Sequence, residues 1–313
     1  MTEYCPHLWQ TITIDHKGDV YSCCLIKPTK MGSIYNDKLS DLINVPEIVR
    51  LRRESLQGRL SCYSECNLIE KTPVDANNLR NLNPLCNYAD FQTIYVDFGL
   101  KCNISCIMCR QRERYKTDKS GLNAEILMRN IDIQPFSNII LQGGEPLYIG
   151  ECLKYMDHLA KNGKKYTLLT NGLLIDEKMA VRLAKEAKLI SISLNAATKK
   201  IHEKVNRGSS WDLVLKNIQH LRNYRNDFKS DLSINGRMTL TVHALNEIPE
   251  FIRSYKKFGF DTINFGYDRD TVPTYLINNP EFTAKLSREI TSVMSEADHS
   301  TIDSLRLSQL GLL

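Results

Sequence analysis

No apolar run in the 313 residues reaches the roughly 18 needed to cross a bilayer. No charged start leads into an apolar stretch of the kind that marks a secretory signal. The expectation is a cytoplasmic protein with no membrane partner. Charge of one sign is also scarce: 41 Lys and Arg against 36 Asp and Glu leave a formal net charge of +5, spread along the chain. That balance tolerates an anionic ligand and does not argue for nucleic acid. The densest basic stretch, Arg110 to Lys116, reads as a solvated loop in preference to a phosphate patch. Hydrophobic content of 42% and charged content of 25% are ordinary for a globular protein, and the length suits one large domain plus a small one.

Cysteine is missing after position 152. All ten cysteines, at 5, 23, 24, 62, 66, 86, 102, 106, 109 and 152, fall in the first half. In an intracellular chain such crowding points to metal binding before disulfides, and here to two sites close in sequence.

The denser site is Cys102-Asn-Ile-Ser-Cys106-Ile-Met-Cys109, directly after the apolar run Thr93 to Phe98. Three thiols at a strand exit fit a metal site left one ligand short, with one iron of a four-iron cluster open to an outside ligand. The spacing alone also admits a zinc site lacking its fourth ligand, or a chance cluster. From residue 89 onward strand and helix signals alternate, as in a parallel α/β fold. Strands are expected at 93–98, 138–141, 166–170, 189–194, 232–244 and 262–265. Helices are expected near 121–131, 150–162, 176–187, 210–226, 248–258 and 281–297.

Gln142-Gly143-Gly144-Glu145-Pro146 closes the second of these strands, and its paired glycines let a ligand approach the backbone. The third ends in Thr170-Asn171-Gly172, at its plainest an Asn-Gly turn. The fourth alternates apolar with small polar residues up to Ser193 and Asn195. The fifth carries Arg237, Thr239, Thr241 and His243 on one side. Parallel strands covered on both faces are nearly all apolar, so a polar face implies a lumen that binds something. Trp211 with positions 214, 215, 218 and 221 forms a helical stripe that reads as core.

The C-x3-C-x2-C cluster, the Gly-Gly-Glu-Pro turn and the strand-helix alternation together resemble the radical S-adenosylmethionine (radical SAM) superfamily. The resemblance implies an α/β fold, a partial (β/α)6 TIM-type barrel over 89–285, followed by a C-terminal helical tail over 286–313, with chemistry at the C-terminal strand ends. It implies a 4Fe-4S cluster on Cys102, Cys106 and Cys109. SAM would be held by Gly143, Gly144, Glu145 and Pro146, the glutamate taking the methionyl amino group. Met108, at a position commonly aromatic in the family, would pack near the adenine. Thr170, Asn171, Ser193 and Asn195 are expected as SAM or substrate contacts. Arg207 is expected either on the SAM carboxylate or in a surface ion pair. His243 and Tyr267 are the candidate catalytic side chains, although a lone strand-end His is more often structural.

The N-terminal segment reads as a hairpin, Trp9–Ile14 and Val20–Ser22 around a Lys17-Gly18 turn. A helical stretch near 37–57 follows, with Pro46 in a first turn and Gly58 as a cap. Cys62 and Cys66 come next. Cys5, Gly18-x4-Cys23 and the closing Cys62-x3-Cys66 resemble the SPASM/twitch auxiliary-cluster module of the same superfamily. That implies an auxiliary Fe-S cluster on Cys5, Cys23, Cys62 and Cys66, in a small Cys-rich β-hairpin/helix module over 1–88. Two departures are its place ahead of the barrel and the x3 spacing where x2 is commoner. Cys24 is an alternative to Cys23, and Cys86 is either a replacement ligand or a buried structural thiol. Residues 67–88 read as a linker. Without the barrel the same thiols read as a zinc ribbon.

The implied activity is reductive cleavage of SAM to a 5′-deoxyadenosyl radical that takes hydrogen from a substrate C–H bond, with the auxiliary cluster accepting an electron in a net oxidation. Electrons would come from an external donor such as flavodoxin or ferredoxin, and the substrate would be a small molecule or a peptide. The rivals are an epimerase or other redox-neutral modification, and a zinc-stabilised binding protein without redox chemistry.

Overall fold

The structure is a computed structural model that describes residues 4–23, 29–62, 66 and 82–313. Cys24 and positions 67–81 of the expected linker lie outside the described residues. The chain divides into two compact units, Met1–Leu100 with Asp118–Gly144 and Ile149–Lys165, and Lys101–Thr117 with Glu145–Tyr148 and Tyr166–Leu313.

In the first unit Pro6 opens a single helical turn, His7–Gln10, as its fixed φ favours. The strand expected from Trp9 therefore starts two residues later, as β1 (Thr11–Ile14). β1 pairs antiparallel with β2 (Asp19–Tyr21). Gly18 turns the chain between them at φ +82°, where a Cβ would stand 2.3 Å from the Tyr35 ring. β2 pairs with β3 (Lys30–Ser33), a strand without alternation in sequence because Gly32 interrupts it. The helical stretch is two helices, Leu39–Leu42 and Pro46–Leu56. Val45, extended at ψ 149°, divides them, since a residue before proline is pushed out of the helical region.

The hairpin does not stand alone. β1 runs parallel to β4 (Thr93–Asp97), Thr11 beside Thr93 and Ile14 beside Val96. β4 in turn pairs parallel with β5 (Asn138–Gln142). The order is β5-β4-β1-β2-β3, so β1 is interior, and all four of its residues are buried where the hairpin reading implied alternation. The helix Gly150–Lys161 buries Cys152, Tyr155, Met156 and Leu159 and packs on Ala124–Asn130.

The second unit is the parallel run β6 (Tyr166–Thr170), β7 (Ala187–Ser193), β8 (Ser233–Leu240), β9 (Thr262–Tyr267) and β10 (Ile302–Asp303), hydrogen-bonded in that order. Helices Glu177–Glu186, Trp211–Asp227 and Ile248–Phe258 connect β6 to β9, and of the expected stripe Trp211, Val214, Ile218 and Leu221 are buried while Leu215 is half-buried. From β4 to β9 the chain places six strands with helices between them, as its periodicity implies. β8 stops at Leu240, before Ala244. A turn closed by Ala244 N–H on Thr241 O at 2.9 Å lifts His243 out of the sheet. The C-terminal segment contributes strand β10 as well as the helices Pro280–Ser295 and Leu305–Gln309.

The two faces of this second sheet differ. On one, Asn235 Nδ2 donates to Ser191 Oγ at 3.0 Å and to Asn264 Oδ1 at 3.2 Å, while Thr262 Oγ1 donates to Asn235 Oδ1 at 2.9 Å. On the other, Phe265 meets Phe251 of the helix Ile248–Phe258, ring centroids 6.1 Å apart.

Candidate functional site

Two backbone hydrogen bonds clip the cysteine loop in place: Ser105 N–H on Arg207 O at 2.8 Å and Ile107 N–H on Val205 O at 2.9 Å. Their acceptors lie where the helix Lys199–Val205 ends, and helix ends leave carbonyls in want of donors. Between them Asn206, buried, joins the loop to β7. Its Nδ2 donates to Ser193 O (3.1 Å) and Leu194 O (3.3 Å), and its Oδ1 accepts from Cys106 Sγ (3.4 Å) and Asn195 Nδ2 (2.9 Å). Asn195 sits in the left-handed region at φ +60°, which asparagine tolerates better than most residues. Thr239 N–H fixes it from β8, donating to its Oδ1 at 2.8 Å. Thr239, Asn195, Asn206 and Cys106 thus form one hydrogen-bonded chain.

Asn206 escapes the sequence reading, its only mark being a polar residue just past a helix. His202 escapes it too. It is buried, its ring nitrogens 2.6 Å from Leu194 O and 2.8 Å from Ser209 Oγ. Burial foremost lowers its pKa, so it is a neutral brace.

Glu145 holds the other side. Its carboxylate is wholly buried. Oε1 accepts from Thr170 Oγ1 at 2.7 Å and Leu147 N–H at 3.2 Å, and Oε2 from Asn171 N–H at 2.8 Å. Burial raises its pKa above the ordinary carboxylate value, and these three hydrogen bonds oppose the rise. Asn171 Nδ2 then donates to Asn103 Oδ1 at 2.8 Å and lies 4.0 Å from Cys102 Sγ. Glu145, Thr170, Asn171 and the cysteine loop therefore come together, with the glutamate committed to protein donors. In the first unit a Cβ on Gly143, at φ +139°, would stand 2.7 Å from Gly99 O and 2.8 Å from Asp97 Oδ1. The chain's own backbone already demands that glycine. Gly144 N–H donates to Gly99 O at 2.7 Å.

Of the other expected residues, Pro146 is buried and opens the turn Pro146–Tyr148, and Met108 and Ser193 are half-buried. Arg207 is exposed, and its carbonyl, not its guanidinium, does the anchoring. His243 is exposed, its Nδ1 3.2 Å from Lys204 Nζ. Tyr267 ends β9, half-buried.

The thiols suit a cationic metal group. Burial pushes the Cys106 thiol up to about 12, and the charges of Cys109 and Cys102 add to this. Cys102 is raised chiefly by burial too. Three thiolates crowded this way repel one another unless a positive centre sits among them.

In the first unit Cys5, Cys23, Cys62 and Cys66 line one cavity of about 640 Å3, with His7, Arg50 and Arg59 at its walls. Burial pushes the Cys5 thiol up to about 12, and Cys23 and Cys66 contribute. Among the described residues no three His, Cys, Asp or Glu side chains converge on a point as a single ion requires. Four thiols around one cavity are a donor set that iron-sulfur clusters and zinc both accept. Cys86 is buried and does not line this cavity. Its backbone N–H and carbonyl are held by the Asn44 side chain.

Comparison with known proteins separates the two sets of thiols. The family described as the radical SAM superfamily matches residues 96–234, and the SPASM iron-sulfur cluster-binding domain matches residues 5–67. An uncharacterized protein of Archaeoglobus fulgidus is 26% identical over 168 residues, 52% of this chain and 38% of its own. An AdoMet-dependent heme synthase of Methanosarcina barkeri is 25% identical over 166 residues, 50% of this chain and 45% of its own. The chain thus spans less than half the length of these relatives. The crystal structure of Streptococcus suis SuiB bound to precursor peptide SuiA aligns over 93% of this chain and 70% of SuiB, at 16% identity and a TM-score of 0.49. By both family matches and by its run of parallel strands and helices, the chain belongs to the radical SAM superfamily, an α/β partial barrel carrying a SPASM domain and implying SAM and iron-sulfur clusters as cofactors.

Proposed function

We propose that this chain is a radical SAM enzyme that takes hydrogen from a C–H bond of a small molecule or peptide, drawing electrons from a flavodoxin or ferredoxin. Cys102, Cys106 and Cys109 hold the 4Fe-4S cluster that binds SAM, and Cys5, Cys23, Cys62 and Cys66 hold the auxiliary one. Residues 1–88 serve as the auxiliary module and linker, and 89–285 as the catalytic barrel. The observation that carries this reading is the cysteine loop itself, three thiols on eight residues clipped at 205–207 and tied to Asn206 and Asn171. With cluster and SAM bound, the chemistry supplied is a one-electron cleavage yielding a hydrogen-abstracting radical.

The protein's part is placement. Asn206 and Asn171 fix the orientation of the cysteine loop, and Glu145 fixes the end of β6 through Thr170 and Asn171. Pro146, Met108, Ser193, Asn195 and Arg207 are assigned to the SAM pocket. Net oxidation is favoured over a redox-neutral outcome because, of the unassigned thiols Cys24, Cys86 and Cys152 that could return a hydrogen atom, the two among the described residues, Cys86 and Cys152, are buried. The test is anaerobic reconstitution with iron and sulfide, reduction, and chromatography for 5′-deoxyadenosine. Brown protein that forms it, with Cys106→Ala forming none, is the expected outcome. Colourless protein holding zinc and cleaving no SAM would sink the proposal.

A further inference from the structure

The polar face of β8 carries one charged side chain to which the proposed function gives no role, Arg237. Arg237 lies in mid-strand, in register with Ser193 on β7 and Asn264 on β9, and Asp303 on β10 extends the row beyond Asn264. Two observations give its direction. Asn235, two residues earlier, binds Ser191 and Asn264 on this face, and residues two apart on a strand share a face. A Cβ on Gly266 of β9 would stand 2.9 Å from the Arg237 Nη2, so Gly266 clears the space that the guanidinium fills.

The cation and the carboxylate of this row, Arg237 and Asp303, stand on strands that are not neighbours, with β9 between them. Among the described residues no carboxylate hydrogen-bonds to Arg237. Burial foremost and then the charge of Arg306 lower its pKa, while Asp303 acts only at a distance to raise it. Arg306 comes from the helix Leu305–Gln309, which packs against β9. Asp303 is exposed, and its Oδ1 already accepts from Leu305 N–H at 3.2 Å. A half-buried guanidinium without a hydrogen-bonded counter-ion is costly, and its planar fork fits carboxylate or phosphate oxygens.

We propose that Arg237, with Arg306 beside it, anchors a carboxylate or phosphate of the substrate, so that the part of the substrate entering this face is anionic. The radical SAM reading enters only in calling the ligand the substrate; the anion site stands on the row Ser193, Arg237, Asn264, Asp303 and on the clearance at Gly266.

The probes are inorganic pyrophosphate and succinate, titrated into the reconstituted 313-residue chain by calorimetry at constant ionic strength, with chloride as control. Saturable binding of at least one is expected. Arg237→Gln should weaken it by about tenfold or more, and Arg306→Gln by a smaller factor. The stronger of the two probes tells phosphate from carboxylate. Gly266→Ala keeps every charge but displaces the fork and should weaken binding likewise, which carries the test if Arg237→Gln fails to fold by circular dichroism. SAM affinity of Arg237→Gln should stay within about twofold of the parent. Absence of saturable binding in the parent, or equal affinity in parent and Arg237→Gln, overturns the assignment. So does a loss of SAM affinity in that variant, which would hand the guanidinium to the SAM carboxylate. None of these titrations needs SAM cleavage, so an inert protein that binds the anion refutes the proposed function and leaves this site intact.

Discussion

The two thiol sites are built in opposite ways. Cys102, Cys106 and Cys109 come from one short loop whose shape is imposed by distant backbone and by buried asparagines. Cys5, Cys23, Cys62 and Cys66 come from separated segments, and the 640 Å3 cavity they line exists only because the hairpin and the helix Pro46–Leu56 are folded around it. Cys5 is tied in by its own N–H on Ser55 Oγ of that helix at 2.8 Å. One site is a local motif braced by the fold, and the other is a product of the fold. Damage to the first should therefore appear in chemistry, and damage to the second in assembly.

Substitutions can break that contrast, beginning with the greatest effect. Cys106→Ala should cut 5′-deoxyadenosine formation by more than about 10^3-fold, while the iron of the auxiliary site remains by elemental analysis. Cys5→Ala should abolish substrate turnover and lower the auxiliary iron, yet leave uncoupled SAM cleavage within about threefold of the parent; equal loss in both assays would merge the two sites into one. Glu145→Gln should cost about 1–3 kcal/mol in urea unfolding, because a buried acceptor of three hydrogen bonds gains an N–H. The same residue gives a pH dependence. Burial raises its folded pKa, so the folded chain holds this proton more tightly than the unfolded one. Its contribution is fullest below the ordinary Glu value of about 4.3 and is lost as pH climbs through the raised folded value. Glu145→Gln should flatten that slope. Asn206→Ala should cost about 1–2 kcal/mol and weaken SAM binding more than it weakens the auxiliary site. Last, His243→Ala should change stability by less than about 0.5 kcal/mol and leave turnover nearly unaltered, since that imidazole is exposed beside Lys204.

Much of the barrel is legible because each strand is announced by its own apolar run and ends at its own motif. β6 falls where its residues predict, and the Gly-Gly-Glu-Pro turn follows β5. The illegible parts are those set by partners far along the chain. Nothing in Thr11–Ile14 announces Thr93–Asp97 as a parallel neighbour, for a parallel pairing leaves no turn between its strands to read. Asn206 looks like any polar residue after a helix until Ser193, Asn195 and Cys106 surround it. Gly143 could be singled out from sequence, but for a ligand's approach, whereas the nearest atoms to its missing Cβ are Gly99 O and Asp97 Oδ1. Glu145 likewise stands out, yet only three dimensions reveal that its oxygens are spoken for by Thr170, Leu147 and Asn171.

The parallel pairing of β1 with β4 makes the N-terminal module something other than a detachable cassette. Trimming the chain ahead of residue 89 would strip Thr93–Asp97 of a ladder partner and bare a row of amides and carbonyls open to wrong pairing. A shortened form should therefore precipitate before any loss of redox partner could be measured. Grafting this module onto another enzyme would have to carry that shared register with it.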